Sequence, residues 1–528
     1  MAAPVAEVAA AQLYPQLLRS GTVHRTAEAG VLLIESTDEG TVVGTDTYRL
    51  EGFIADYLGL IDGVRNHHDL REAMADRYGP SFGTLLAERA VAWAAQHPQL
   101  VGFTTAPAEA PQSLRKTGDD KSFSPLHCTF EIIETCNFTC DHCYYSSSPS
   151  KKGRMELDGV LRVMEKLAAH GVRVIELTGG ECTIHPDFIP ILQRASELFD
   201  VVGVITNGYR VGMHEPTFEA MAAVPNLIVQ VSIDAIGETH NTFRKHRNAF
   251  DTAVTAVKKL VGAGKIVRMS SSISDQTVSH VLPLYRLGKE LGVAKHSFAP
   301  IASIGRGCNV GDTGLGAREL VQQIESVLSA VQQDDPTLNN YAPMPSLAEN
   351  YQAPRNCGAG WQTVAIDYDG FVRACNYSRD SKRFGNILED DYPLIFGQKA
   401  NFFFQNAPSP GGPDCFGCVH YYNCRGCFVK AFMVSETVYP ECPWRKKWFP
   451  GMPLSNEYAT ERESISDIRR SVPAYSPSDS GHACTSCGDD IDAHDHPSKY
   501  TQLTRTPGTT ASSSPTVFLG MSIGRRPR

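Results

Sequence analysis

From residue 127 to about residue 333, short β-branched runs alternate with longer segments whose apolar residues recur at helical spacing. This alternation is the pattern of successive βα units around a parallel sheet. The runs at 127–133, 173–177, 201–206, 227–233, 266–272 and 296–300 predict six strands. The segments at 157–170, 188–199, 216–224, 250–263 and 281–291 predict the helices between them. Together they predict an α/β fold, a partial (β/α)6 TIM-like barrel within residues 122–335. Barrels of this kind build their sites from loops at the carboxyl ends of the strands. Here those ends carry the polar and glycine-rich residues, and the strand bodies do not.

A second pattern precedes the barrel. Residues 31–34 and 40–43 read as a β-hairpin and 49–58 as a helix, and Leu60-Ile-Asp-Gly63 forms a turn leading to a helix at 71–75. They predict a small α+β unit over 21–103, joined to the barrel by a polar linker at 105–121. At the other end, 464–528 is poor in apolar residues and rich in Ser, Thr, Pro and Asp, the composition of a disordered tail. It holds Cys484 and Cys487 with His482, His494 and His496 nearby; such a group could bind a metal, but the composition favours incidental residues and no function is assigned.

Composition narrows the function classes. A chain of 528 residues is too long for one domain. Its 15 cysteines, in a chain this large without a secretory signal, point to metal or redox chemistry rather than disulfides. No apolar run is long enough to cross a membrane. A net charge of −9 with scattered basic residues argues against general nucleic-acid binding. The expectation is a cytoplasmic protein with neither nucleic acid nor membrane as partner.

The candidate chemistry starts directly after the first strand. Between Glu134 and Tyr144, Cys136, Cys140 and Cys143 take the spacing C-x3-C-x2-C, with His142 before the last thiol. Three thiolates on one short loop can each hold a corner iron of a [4Fe–4S] cube and leave the fourth corner open for chemistry. The alternative is a zinc knuckle, but zinc sites are usually closed by a fourth Cys or His, and His142 is poorly placed for that between two of the cysteines. The spacing resembles the signature of the radical S-adenosylmethionine (radical SAM) enzymes. The resemblance implies that S-adenosylmethionine chelates the open iron and that one electron from the cluster cleaves it. The 5′-deoxyadenosyl radical then abstracts hydrogen from a substrate. It also implies an electron donor such as a flavodoxin or ferredoxin.

Four strand ends resemble positions of that family. Thr178-Gly179-Gly180-Glu181 looks like its Gly-Gly-Glu motif. There the glycines let backbone carbonyls approach the methionine amino group, and Glu181 would add a charge-assisted hydrogen bond. Cys182 stands where the family often has proline and reads as a buried small residue. Thr206-Asn207-Gly208 ends the third strand, and Ser232-Ile233-Asp234 ends the fourth, with a hydroxyl and a carboxylate suited to the ribose and the cofactor's polar edge. His240-Asn-Thr-Phe-Arg244 resembles the segment whose arginine pairs with the cofactor's carboxylate, a fork geometry lysine reproduces poorly. His142 and Ser271 complete the candidate cofactor contacts. Each motif alone is a common turn signal; their order at consecutive strand ends carries the reading.

A second set of cysteines follows the barrel. Cys357, Gly370 and Cys375 precede Cys415-x2-Cys418-x5-Cys424-x2-Cys427, and Cys442 closes the set. Over 355–450 this resembles the SPASM domain, which holds auxiliary [4Fe–4S] clusters. One interval departs: two residues separate Cys424 and Cys427 where the family usually has three. The family's interleaved pattern implies one cluster on Cys415, Cys418, Cys424 and Cys442, and another on Cys357, Cys375 and Cys427. No eighth cysteine lies between Cys357 and Cys375, so Asp367 or Asp369 could complete that cluster, or it could stay open for substrate. The alternative is zinc-ribbon packing.

The amino-terminal unit resembles the peptide-binding winged-helix module of the pyrroloquinoline quinone pathway. That module captures an extended leader as an added strand; a stabilising domain without a ligand is the alternative. Both resemblances together imply maturation of a ribosomally made precursor peptide (RiPP) carrying a leader, through a thioether or carbon–carbon crosslink. The alternatives are a sulfatase maturase that generates formylglycine, and a non-catalytic iron–sulfur redox or sensor protein.

Overall fold

The computed structural model describes residues 13–450 except 28, 39–40, 303, 311–316, 335–355, 379–382, 425–426 and 438. The tail with Cys484 and Cys487, and Gly40 of the expected hairpin, lie outside the described residues. The amino-terminal part holds two small sheets. In one, β1 (Tyr14–Leu17) pairs antiparallel with β5 (Val101–Thr104). The other consists of β2 (Gly21–Arg25), β3 (Ala29–Asp38), β4 (Thr41–Glu51) and β6 (Arg115–Gly118), in the order β4-β3-β2-β6. Three helices cover it: α1 (Gly52–Leu60), α2 (His67–Tyr78) and α3 (Pro80–Ala95). Side chains alternate along β3, as a strand requires. Leu32 and Ile34 join a core with Ile54, Tyr57, Leu70, Met74 and Leu86, while Ala29 and Val31 join the core of the main body.

Three local expectations are corrected. Residues 49–51 are strand, with Arg49, Leu50 and Glu51 opposite Val31, Gly30 and Ala29. Leu50, Ile54 and Leu58 fall at helical spacing, yet the chain only turns helical at Gly52. The predicted helix at 71–75 spans the whole of α2, started by a capping box in which Asn66 and Asp69 accept each other's backbone N–H (3.0 and 3.1 Å). The polar linker contains β6, which runs parallel to β2; its residues, Arg-Lys-Thr-Gly, are held by backbone pairing and show no apolar pattern.

The main sheet has nine strands in the order β12-β11-β10-β9-β8-β7-β13-β14-β15. Six are the parallel barrel strands β7 (His127–Ile133), β8 (Val174–Gly179), β9 (Val201–Thr206), β10 (Leu227–Ser232), β11 (Ile266–Ile273) and β12 (Lys295–Pro300). The expected partial barrel is therefore present. The second strand begins at Val174, one residue later than expected, and the Arg173 side chain before it pairs with Asp200. Amphipathic helices pack on the strands; Leu157–Ala169, for example, buries Val160, Val163, Met164 and Leu167. β13 (Thr363–Ile366) joins parallel to β7, followed by the antiparallel β14 (Phe371–Arg373) and β15 (Arg383–Asn386). The cysteine-rich extension thus continues the barrel sheet at its open edge. No described helix is long and apolar enough to cross a membrane.

Candidate active site

β7 releases the chain at Ile133 into the loop that carries Cys136, Cys140 and Cys143. Cys136 and Cys140 are buried with Phe138 and Ala249, and Cys143 and Tyr209 pack against them. Burial is the main cause that raises the Cys136 thiol, with Glu181, Cys140 and Cys143 adding to it. Burial likewise holds Cys140 at about 12, with Arg244 pulling it down and Cys143 and Asp234 pushing it up. The three thiols therefore lie together, with Cys136 and Cys140 buried and Cys143 partly so. Among the described residues no three ligands converge on a single metal ion; a cube asks for something else, one thiolate at each of three corners. Two polar atoms of the loop, Asn137 Nδ2 and His142 Nδ1, are buried without a hydrogen-bonding partner in the protein. Buried polar groups are nearly always satisfied, so the loop has the donor set and the unmet polarity of a cofactor seat. The residues fit a three-thiolate cluster with a polar molecule beside it.

The strand ends surround this loop. Gly179 has φ +134°, and a Cβ there would lie 2.1 Å from Ile133 O; one on Gly180 would lie 2.3 Å from Thr135 O. The glycines thus let the end of β8 press against the start of the cluster loop, a use the expected approach to a methionine amine did not anticipate. Gly180 N–H donates to Ile133 O at 2.7 Å. The Glu181 carboxylate is buried and accepts four hydrogen bonds from the protein. One oxygen accepts from Thr183 N, Thr183 Oγ1 and Thr206 Oγ1 (3.2, 2.6 and 2.8 Å), and the other from Asn207 N (2.7 Å). Asn207 in turn donates to Asn137 Oδ1 at 2.8 Å and points at Cys136 Sγ at 3.9 Å. Cys182 is buried, its thiol 3.5 Å from both Leu177 O and Ile205 O; a small side chain is what fits there.

Asp234 and Arg244, expected to meet different parts of a cofactor, meet each other. Arg244 Nε donates to Asp234 Oδ2 at 2.7 Å, and Ser272 N–H donates to Oδ1 at 2.9 Å. Burial opposes the Asp234 charge, but Arg244, His142 and His240 outweigh it and hold the carboxyl far below its usual range. His142 stacks on Phe243 with ring centroids 4.4 Å apart, its Nε2 3.5 Å from Asp234. Burial lowers it to about 4, so the ring is neutral at pH 7. Ser232 ends β10 half-buried. Ser271 does not face the loop: its hydroxyl bonds Ile233 O and lies 2.8 Å from His296 Nε2. Sequence reasoning missed Asn137, Phe243 and Arg306. Phe243 sat inside the quoted His240–Arg244 segment, whereas Arg306 gave no signal.

The outer cysteines fall into two groups. Although Cys357 is exposed as a residue, desolvation of its thiol and then the Cys427 and Cys375 thiols push it up to about 12. Burial and Cys427 do the same to Cys375. Cys415 is raised by burial and then by Cys424, Cys442 and Cys418. The structure thus gathers Cys357, Cys375 and Cys427 apart from Cys415, Cys418, Cys424 and Cys442. Asp367 is engaged elsewhere, its Oδ1 accepting from Asp369 N (3.1 Å) and Phe371 N (2.9 Å) in the turn before β14. Asp369 is raised by burial, Asp367 and Glu134, with no thiol among the causes. Neither aspartate stands out as a ligand completing the first group. Tyr368 of that turn reaches Glu134 Oε2 at 3.3 Å, and Tyr377 meets Tyr144 edge-on at 5.6 Å, so the extension touches the cluster loop.

Comparison with known proteins places these features. Residues 130–285 match the radical SAM superfamily, and 357–427 match the SPASM iron–sulfur cluster-binding domain. The chain is 25% identical over 453 residues to the antilisterial bacteriocin subtilosin biosynthesis protein AlbA of Bacillus subtilis, covering 82% of this chain and 97% of that protein. It is 31% identical over 195 residues to the sporulation killing factor maturation protein SkfB of Bacillus subtilis, covering 35% of this chain and 47% of that protein. It is 27% identical over 337 residues to mycofactocin maturase MftC of Mycobacterium tuberculosis, covering 63% and 81%. Among solved structures, Streptococcus suis SuiB bound to S-adenosylmethionine has a TM-score of 0.53 at 15% identity, covering 78% of this chain and 95% of that one. At that identity the likeness concerns the fold. The chain thus carries a radical SAM domain followed by a SPASM domain, and it is an enzyme whose cofactors are [4Fe–4S] clusters and S-adenosylmethionine.

Proposed function

We propose that this enzyme matures a ribosomally made precursor peptide in the cytoplasm, installing a thioether or carbon–carbon crosslink, with a small electron carrier such as a flavodoxin or ferredoxin as reductant. The observation that carries the reading is the extent of the likeness to a bacteriocin biosynthesis protein, 97% of whose length aligns with this chain. SuiB, which shares the fold, has been solved with its precursor peptide SuiA.

Cys136, Cys140 and Cys143 would hold the catalytic cluster, and the two outer thiol groups would hold auxiliary ones. When bound, cluster and S-adenosylmethionine supply the one-electron chemistry that removes hydrogen from an unactivated carbon. The chain's own residues do the rest. Asp234 fixes the Arg244 fork through Nε, leaving its other N–H groups for a carboxylate. His142, stacked on Phe243, offers a flat ring with an unpartnered Nδ1. Glu181 holds Thr206 and Asn207 in place, so that Asn207 faces the first cysteine.

The leader would add to the amino-terminal sheet. Of the two candidate strands, β3 is paired on both sides, which removes 31–36 as an edge, whereas β4, like β6, is a terminal strand of the sheet. On α3, Phe82 and Leu85 are 58% and 56% exposed, and Arg89 of the same helix reaches Glu51 at the end of β4 (3.0 Å). Changing both Phe82 and Leu85 to serine should weaken binding of a labelled leader peptide about tenfold or more, while cofactor cleavage stays unchanged. Unaltered affinity would move the leader off this face. The function itself is tested by co-expression with a precursor peptide and mass spectrometry, where each crosslink removes two hydrogens. A precursor recovered at its unmodified mass from active enzyme would sink the proposal.

A further inference from the structure

The loop that carries the three thiols has little structure of its own. Its internal backbone bonds include Cys143 N–H to Cys140 O (3.4 Å), Ser146 N–H to Cys143 O (3.2 Å) and Cys136 N–H to Ser148 O (3.3 Å), long bonds for a segment that must fix thiols in space. The short turn Gly305–Asn309, which follows the last barrel strand, lies against it. There Arg306 donates from Nε to Cys140 O at 2.8 Å and from Nη2 to Ser147 O at 2.8 Å. Its backbone N–H donates to Cys143 O at 3.0 Å. One residue therefore ties the carbonyls of two of the three cysteines and of Ser147 on the loop's return. The approach depends on Gly305, which has φ +58° and whose Cβ would lie 2.4 Å from Tyr144 O. Arg306 also borders a cavity of about 290 Å³ with Asp141, Lys245, Gln276 and Val310, on the side of the loop where Asp141 pairs with Lys245. It lies beyond the 130–285 segment that matches the superfamily.

We propose that Arg306 is a positioning residue for the catalytic cluster: its guanidinium fork and backbone N–H together set the spacing of Cys140 and Cys143 before any iron arrives. It acts through backbone carbonyls, so the thiols keep all their capacity to bind metal. A charged donor to a carbonyl is among the stronger hydrogen bonds. The planar fork holds two carbonyls at a fixed separation, whereas an ammonium is a single point and cannot span both. The turn after β12 thereby closes the loop that leaves β7, so the first and last strands of the barrel jointly build the thiol pocket.

The test starts from the metal-free full chain, compared as wild type, Arg306→Gln and Arg306→Lys by hydrogen–deuterium exchange and mass spectrometry. Both variants should exchange about tenfold faster across residues 136–148, with peptides from β9 and β10 unchanged. After anaerobic reconstitution both should hold less iron than wild type, by up to the four irons of one cluster. Unchanged exchange in Arg306→Gln, protection fully restored by lysine, acceleration spread through β9 and β10, or wild-type iron uptake would each overturn the proposal. The exchange readout needs no cluster and no peptide, so it succeeds or fails apart from the proposed function.

Discussion

Replacing Cys136, Cys140 and Cys143 together with alanine should abolish cleavage of S-adenosylmethionine and leave the chain folded. The change removes three sulfur atoms from a pocket whose walls stay in place: Phe138 stacked on His246 (centroids 4.5 Å apart), Tyr209 edge-on to Phe138, and Ala249. The sulfurs contribute little to the loop's own hydrogen bonding, with Phe138 N–H lying 3.4 Å from Cys136 Sγ. The loop keeps its ties to Arg306, to Phe243 O through Asp141 N–H (3.2 Å) and to Asn207. Neither of the two core thiols beside the loop can stand in. Cys182 is buried between Leu177 and Ile205 carbonyls, and Cys128 lies fully buried within β7. With dithionite and S-adenosylmethionine, 5′-deoxyadenosine should fall to the level of a sample without enzyme. Reconstituted iron should fall by about one third if two auxiliary cubes remain. Continued formation of 5′-deoxyadenosine by the triple variant would refute the assignment of the catalytic cluster.

How much of this was legible depends on what kind of contact builds each part. The barrel strands announce themselves because their middles are buried, and runs such as Val201–Thr206 and Leu227–Ser232 need apolar side chains to be so. The thiols and glycines of the site are legible because their chemistry restricts the residue type. Backbone-driven features leave no such trace: β6 pairs through its peptide groups, and Arg306 grips carbonyls that any residue presents. The Arg49 strand end looked helical because Leu50, Ile54 and Leu58 satisfy a helical period whichever side of Gly52 the helix starts. Arg49 is used at long range, giving Nη2 to Gln405 O at 2.6 Å and lying 4.8 Å over the Trp361 ring. Ser271 and Asp234 carry the right groups for a cofactor, but only tertiary geometry shows that His296 engages the first and Arg244 the second.

A second large effect should come from a buried ion pair between the barrel and the cysteine-rich extension. Glu131 of β7 and Arg373 of β14 form a salt bridge with neither side chain exposed. Asp367 Oδ2 is 3.9 Å from Arg373 Nε. Burial alone would lower the arginine's pKa, but Glu131 and then Asp367 outweigh it, so the guanidinium stays charged. The pair pins the hairpin of the cysteine-rich extension to the strand that launches the cluster loop, two strands apart in the same sheet. Attraction within such a pair offsets the desolvation of both ions only while both are present. Arg373→Met should therefore cost about 3–5 kcal/mol, because Glu131 is left as an uncompensated buried charge. The double variant Glu131→Leu with Arg373→Met should recover most of that loss, since an apolar pair of similar volume needs no desolvation to be offset. Urea denaturation of the metal-free protein, followed by the fluorescence of Trp361 and Trp444, both fully buried in this half of the molecule, measures each difference. If the double variant is as unstable as the single one, the loss comes from packing around Arg373 and not from the stranded carboxylate.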